Sequence, residues 1–259
     1  MLKNYEKLRS LLKETAPVAI AFSGGVDSSL LLAVAADVLG DNAVALLARS
    51  QLMTTTEVEQ GGEFACRLGV RLKYVDFAPL ADPDFYKNTR QRCYICKKKM
   101  YQYFRAALAA DVCLLDGTIL DDLKVERPGL QAIKELGVRM PLVDTGFDKI
   151  KVRRLSRHLG LACWNKFSSS CLATRIPVGN KITDRRLALI AQAEDFLHSL
   201  DFPGCRVKLL DNGVLVSLVS GDAERFVSEE ISSRIRIFFT NLNLPKVFLE
   251  LSARPGIVI

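Results

Sequence analysis

The stretch Ser23-Gly24-Gly25-Val26-Asp27-Ser28-Ser29 constrains this chain more than any other feature. An apolar run, Val18 to Phe22, precedes it and reads as a buried strand. Leu30 to Leu39, rich in Leu, Ala and Val, follows and reads as a helix. A strand, a tight Gly-containing turn and a helix start make an anion site. Glycines let the backbone approach a phosphate, and the N–H groups of the first helical turn point at it. Ser23, Ser28 and Ser29 add hydroxyls, and Asp27 is placed to help hold Mg²⁺. A plain capped turn is the alternative for a lone Gly-Gly. The full Ser-Gly-Gly-x-Asp-Ser after a strand favours phosphate binding. The Walker pattern Gly-x-x-x-x-Gly-Lys-Ser/Thr is absent.

This loop resembles the PP-loop of the ATP pyrophosphatases. The resemblance implies cleavage between the α- and β-phosphates of ATP, an adenylated intermediate, and displacement of AMP by a nucleophile. It does not choose among the amidating and thiolating members of that superfamily.

The rest of the chain alternates strand and helix patterns. Ala43–Ala48, Val70–Phe77 and Val112–Asp116 read as further strands. Helical patterns cover residues 4–14, Thr56–Leu68, Cys96–Ala110, Leu130–Leu136 and Lys151–Leu159. The fold class is therefore α/β, a parallel sheet with flanking helices. Ligands of such sheets sit beyond the carboxyl ends of the strands, where Ser23, Ser50 and Asp116-Gly117-Thr118 fall. After Pro177 the pattern changes to a helix over Asp184–Leu200, a hairpin about Asp211-Asn212-Gly213, a helix over Ala223–Ile235 and a strand over Lys246–Leu251. Two domains are expected: residues 1–178, carrying the loop and the distinctive cysteines, and residues 179–259, a smaller C-terminal α+β module for substrate binding or oligomerisation.

No apolar run reaches the roughly 20 residues that span a bilayer, and Met1 to Glu14 lacks a signal-peptide core. A cytoplasmic enzyme without a membrane partner is expected. The net charge of +7 suits RNA or phosphorylated small molecules. Its basic runs, Lys97-Lys98-Lys99, Lys149 to Arg157 and Arg185-Arg186, read as solvated faces. No RNA-binding module signature accompanies them, so no nucleic-acid partner is expected.

Seven cysteines in such a chain argue against a disulfide framework. Cys66 and Cys113 lie in apolar segments and read as inert core, while Cys163 and Cys205 lack persuasive partners. Cys93-Tyr94-Ile95-Cys96 opens a lysine-rich helix, an environment that favours thiolate. Taken alone, the pair suits zinc, a redox disulfide or a cluster. Cys171 stands in the polar stretch Ser168-Ser169-Ser170-Cys171-Leu172-Ala173-Thr174-Arg175-Ile176-Pro177. Three thiolates are one too few for a closed zinc site but suit a 4Fe-4S cluster with an open iron. The alternative is that Cys171 is a lone thiol remote from the pair.

At this point the resemblance narrows. The PP-loop, Arg92-Cys93-Tyr94-x-Cys96-Lys97, Asp116-Gly117-Thr118, Arg127-Pro128-Gly129 and Ser170-Cys171-Leu172-Ala173-x-Arg175-Ile176-Pro177 together resemble the LarE family, over nearly the whole chain. The resemblance implies an ATP-dependent sulfur transferase of nickel-pincer nucleotide biosynthesis. Such enzymes adenylate a carboxylate of pyridinium-3,5-biscarboxylic acid mononucleotide and convert it to a thiocarboxylate, then repeat the step on the second carboxylate. Some members sacrifice the sulfur of a single cysteine at the position of Cys171. Others hold a 4Fe-4S cluster on three cysteines. With Cys93 and Cys96 present, the cluster form is expected, and Cys171 becomes a ligand.

The resemblance also assigns roles. Ser23, Gly24, Gly25, Asp27, Ser28 and Ser29 would hold ATP and Mg²⁺, with Asp27, Cys171 and Arg175 catalytic. Ser50, Gly117 and Thr118 would line the nucleotide site, and Arg127 and Arg175 would clamp phosphates. Arg206 and Lys208 would bind the substrate's phosphate; Glu194 and Glu224 fall where a second divalent ion would lie, although ordinary helix-surface acids are the favoured reading of both. Asp121 and Asp122 would serve the metal or cap a helix. The partners implied are a small-molecule nucleotide substrate, a sulfur donor the residues do not identify, and further copies of the chain in a homo-oligomer such as a hexamer. The competing reading is a PP-loop tRNA thiolase, which also pairs such a loop with Cys-x-x-Cys and a distant cysteine.

Overall fold

Strand β1 (Val18–Ala21) is buried at every position because helices cover both faces of a parallel sheet. The computed structural model describes residues 1–259 except Glu126, Pro255, Val258 and Ile259. The described residues form two units, each packed on itself. One comprises Met1–Pro79 and Arg90–Lys166; the other comprises Leu80–Thr89 and the chain from Phe167 onward.

The first unit begins with α1 (Leu2–Thr15), then β1, α2 (Val26–Leu39), β2 (Ala43–Arg49), α3 (Thr55–Arg67) and β3 (Arg71–Asp76). The short helix α4 (Pro83–Tyr86) belongs to the second unit. The first unit resumes with α5 (Arg92–Ala106), β4 (Cys113–Asp116), α6 (Pro128–Glu135), α7 (Pro141–Asp144) and α8 (Lys149–His158). Strand order is β3-β2-β1-β4, all parallel, as expected of an α/β sheet. Apolar side chains on one face of the sheet meet Leu8, Leu12, Leu30 and Leu155; those on the other meet Tyr101, Phe104 and Ile133. The chain lays β2 and β3 on one side of β1 and β4 on the other. Strand order thus reverses at the β1–β4 seam, where open α/β sheets leave a crevice. The Gly-rich loop follows β1 into that crevice.

The second unit adds α9 (Asp184–Ser199), β5 (Arg206–Leu210), β6 (Gly213–Ser217), α10 (Ala223–Val227), α11 (Glu229–Asn241) and β7 (Lys246–Leu249). β5 and β6 pair as the expected hairpin, Leu210 against Gly213, and β7 joins β6 in parallel. The helix expected over Ala223–Ile235 is two helices. Ser228 breaks it with extended backbone (ψ 147°), and Glu229 and Glu230 begin α11, where acids suit the helix N-terminus. Asn88 secures the 80–89 segment. It is fully buried and donates its side-chain N–H groups to the carbonyls of Ile176 (3.3 Å), Pro177 (2.8 Å) and Asn180 (2.8 Å). Among the described residues, no helix is long and apolar enough to cross a membrane.

Candidate active site

The loop after β1 is held open by its own polar atoms. Gly24 sits at φ +69°, a conformation that favours glycine. Ser28 Oγ accepts from the Ser23 amide (3.2 Å), lies 3.1 Å from Ser23 Oγ and donates to the Gly25 carbonyl (3.2 Å). Gly25 is the N-cap of α2 and supplies no side-chain cap. An uncapped helix start leaves backbone N–H groups for an anion. Lys166 braces the loop by donating to the Gly24 carbonyl (3.3 Å). Ser29 is buried against the Cys163 thiol, whose pKa is pushed up by burial.

Asp27, in the first turn of α2, meets Lys149 at the start of α8. Lys149 Nζ stands 2.8 Å from Oδ1 and 2.6 Å from Oδ2. Burial pushes the Asp27 carboxyl up, and Lys149 opposes that shift. Asp122 adds a like charge and Arg153 an opposite one. Asp121 and Asp122 act as backbone caps: Asp121 Oδ2 accepts the Lys149 amide (2.7 Å) and Asp122 Oδ2 the Ile119 amide (3.1 Å). Arg127, expected as a phosphate clamp, is an exposed partner of Asp122 at 2.6 Å.

The end of β4 closes the other side of the crevice. Asp116 is buried and accepts from the Tyr101 hydroxyl, the Thr118 hydroxyl and the Thr118 amide. Burial pushes its pKa up, but Lys97 (3.6 Å away), Thr118 and Tyr101 outweigh it and hold it below the usual carboxylate range. The Thr118 hydroxyl is thus held by Asp116. Gly117 has a packing role. A Cβ there would lie 2.9 Å from the Ser28 nitrogen and 3.0 Å from its Cα. Ser50 follows β2, and its Oγ accepts the Leu52 amide (3.3 Å).

Cys93 and Cys96 occupy the first turns of α5, i and i+3, on one side of the helix. Cys93 is exposed and Cys96 half-buried. Gly129 of α6 makes room for this helix, since a Cβ there would meet Lys97 Cδ at 3.0 Å.

In the second unit, exposed Cys171 precedes the 3₁₀ turn Leu172–Arg175. Arg175, expected to face phosphate, is 4% exposed and points inward. It forks onto Glu194 of α9, Nε to Oε1 at 2.8 Å and Nη2 to Oε2 at 3.2 Å. Its Nη1 donates to the Ser170 carbonyl (2.7 Å) and the Cys171 carbonyl (3.3 Å). Glu194 Oε1 also accepts the Val207 amide (3.0 Å). Both residues thus serve an internal brace for the Cys171 turn; Arg175 presents no open fork, and Glu194 is no open carboxylate for a second divalent ion. Glu224 is exposed in the first turn of α10.

Arg206 Nη2 donates to the Ser168 carbonyl (3.0 Å), and Arg254 Nη2 approaches the same oxygen (3.3 Å). Burial, with Arg254 and Arg175 nearby, pulls the Arg206 pKa down to about 10. Its buried Nε has no hydrogen-bond partner among the described residues. This crowding of cations, with one buried donor unspent, suits an anion beside the Cys171 turn. Lys208 lies 3.8 Å from Glu250.

The remaining cysteines correct the expectation of an inert Cys66. α3 turns Phe64 and Ala65 inward and leaves Cys66 exposed, while Cys113 is half-buried. Cys205 is the buried one, its pKa pushed up to about 12 by burial and then by Glu194. At pH 8 its thiolate fraction is on the order of 1 in 10⁴. Iodoacetamide at that pH should therefore label Cys66 and spare Cys205 until urea is added, as peptide mass mapping would show. Equal native labelling of the two would contradict this placement. Among the described residues, no three His, Cys, Asp or Glu side chains gather as a ready metal site.

Lys149, Lys166 and Arg254 were not singled out by sequence. Lys149 heads a basic run that reads as a solvated face; charge density was its only signal.

No family model matches the chain. It is 36% identical over 248 residues to an uncharacterised protein of Synechocystis sp., covering 95% of this chain and 92% of that one. An uncharacterised protein of Methanocaldococcus jannaschii is 26% identical over 235 residues, 88% of this chain and 89% of the relative. The pyridinium-3,5-bisthiocarboxylic acid mononucleotide synthase of Lactiplantibacillus plantarum is 39% identical over 204 residues, 78% of this chain and 74% of the synthase. With the Gly-rich loop at the sheet's reversal and an exposed Cys171 on its braced turn, that likeness places the chain in the LarE family, to which the synthase belongs.

Proposed function

We propose that this protein is an ATP-dependent sulfur transferase that turns the carboxylates of pyridinium-3,5-biscarboxylic acid mononucleotide into thiocarboxylates. The observation that carries the reading is the uncapped start of α2, with Gly24 at positive φ beside Asp27, in a chain 39% identical to a synthase named for the bisthiocarboxylic product.

In this reading the α2 N-terminus and Ser23 receive the ATP phosphates. Mg²⁺, when bound at Asp27, supplies neutralising charge for the triphosphate. The crevice residues orient the α-phosphorus for attack by a substrate carboxylate oxygen. The bond between the α-phosphorus and the bridging oxygen breaks, and pyrophosphate leaves with that oxygen. A sulfur nucleophile then attacks the acyl carbon of the adenylate; the carbon–oxygen bond breaks, and AMP leaves with the former carboxylate oxygen. Arg206 and Arg254 hold an anionic group of the substrate near the Cys171 turn, and Arg175 keeps that turn in place.

Cys93, Cys96 and Cys171 would hold a 4Fe-4S cluster. Their chemistry fits: all are thiols, two share a helix face, and two of the three are exposed. When bound, such a cluster supplies a transferable sulfide at its open iron. A second reading uses Cys171 itself as the sulfur source, and the exposure of that thiol supports it.

One set of measurements tests the whole. Wild type should release pyrophosphate only when the biscarboxylic nucleotide is present, and Asp27→Ala should lower release at least about 100-fold. Unchanged release in Asp27→Ala removes that residue from the site; no release by wild type rejects the reaction. Iron and acid-labile sulfide, measured on protein purified without oxygen, should approach four each per chain and vanish in Cys93→Ala, Cys96→Ala and Cys171→Ala. Absence of iron after reconstitution, with Cys171 losing the mass of H₂S on turnover, decides for the second reading.

A further inference from the structure

The Asp27–Lys149 pair occupies the spot where a divalent ion would be wanted. The Lys149 ammonium meets both oxygens of Asp27, at 2.8 and 2.6 Å. The pair is half-buried, with 31% and 25% side-chain exposure, so solvent can reach it. The Lys149 amide is fixed by Asp121 at 2.7 Å, and the rotatable four-carbon stem lets the ammonium move only once Asp27 releases it. Asp27 lies in the first turn of α2, whose N–H groups attract an anion. A bare carboxylate there would repel a polyphosphate, so something cationic must accompany it.

We infer that Lys149 competes with the divalent ion for Asp27 and, once displaced, grips the phosphates of the nucleotide. Lys149 is thus a nucleotide-binding residue whose position reports metal occupancy at Asp27. The pair keeps the crevice neutral before metal arrives. Metal binding then releases a cation a side chain's length from the loop, at the moment the nucleotide needs it. This rests on the reading of the loop as a Mg²⁺–ATP site.

The test compares wild type with Lys149→Met, Lys149→Arg and Lys151→Met. Lys151 lies on the same helix but bonds the Gly146 carbonyl (2.8 Å) and so controls for charge alone. Mn²⁺ binding without nucleotide is read by electron paramagnetic resonance, and MgATP binding by calorimetry. Lys149→Met should bind Mn²⁺ about tenfold more tightly, because its competitor is gone. The same variant should bind MgATP about tenfold more weakly, with Lys149→Arg recovering part of the loss. A purely structural ion pair would weaken both. Unchanged Mn²⁺ affinity, or equal shifts in Lys151→Met, overturns the proposal while wild-type MgATP binding leaves the site reading standing. Absence of MgATP binding by wild type overturns the site reading, and this proposal with it.

Discussion

Gly117→Ala should weaken nucleotide binding about 100-fold. The new Cβ lies 2.9 Å from the Ser28 nitrogen, 3.0 Å from its Cα and 3.2 Å from its Cβ. Two of these are backbone atoms at the start of a buried helix, so no flexible side chain can give way. Either β4 retreats or the first turn of α2 moves. Ser28 knits the loop through Ser23 and Gly25, so its displacement spreads to the loop N–H groups. Overpacking of this kind costs about 1–3 kcal/mol of stability. The larger effect is on the site, where a displacement near 1 Å can cost about 100-fold. Calorimetry should show MgATP affinity falling by about that factor, with a folded circular dichroism spectrum. Retained affinity would mean that the β4 end and α2 are less tightly joined than their spacing implies.

The second large effect lies in the other unit. Glu194→Gln leaves the buried Arg175 guanidinium without its counter-charge, although the glutamine oxygen can still serve the Val207 amide. Breaking such a buried pair from one side destabilises by about 3–5 kcal/mol. Arg175→Met should do similar damage by stranding Glu194. Replacing both with apolar residues should recover most of the loss, since a buried pair rarely outperforms a well-packed apolar substitute. Urea unfolding of the three variants measures this. Additive losses in the double variant would show that each residue contributes separately. Arg175 also holds the Ser170 and Cys171 carbonyls, so the single variants should loosen the turn and change the alkylation rate of the already exposed Cys171 thiol.

Both predictions concern residues whose contacts inside the protein a sequence does not display. The parallel sheet and the loop were legible because their signals are local: apolar runs of strand length, glycines beside a helix start, a polar turn between β5 and β6. Arg175 read as a phosphate clamp because its partner lies 19 residues away on another helix. Lys149 read as solvated surface because Asp27 is 122 residues distant. Thr118 and Gly117 were placed at the right edge of the sheet, but their work there is done on Asp116 and Ser28. A hydroxyl or a missing Cβ in sequence does not say which neighbour it serves. Cys66 lay in an apolar-looking stretch whose helical phase turns it outward.

The grouping of residues 80–89 with the later part of the chain has a consequence for any attempt to take the protein apart. The second unit is discontinuous: the polypeptide enters it at Leu80, leaves after Thr89 and returns at Phe167. No single cut yields it. A fragment starting at 167 would lack Asn88, and the carbonyls of Ile176, Pro177 and Asn180 would each lose a donor. Those carbonyls lie just beyond the turn that carries Cys171. Expressed alone, such a fragment should be unstable, and supplying residues 80–89 as a separate peptide should restore part of its order. The ten residues between the two crossings thus act as a sewn-in tab, binding the folding of the later half to the synthesis of the earlier one.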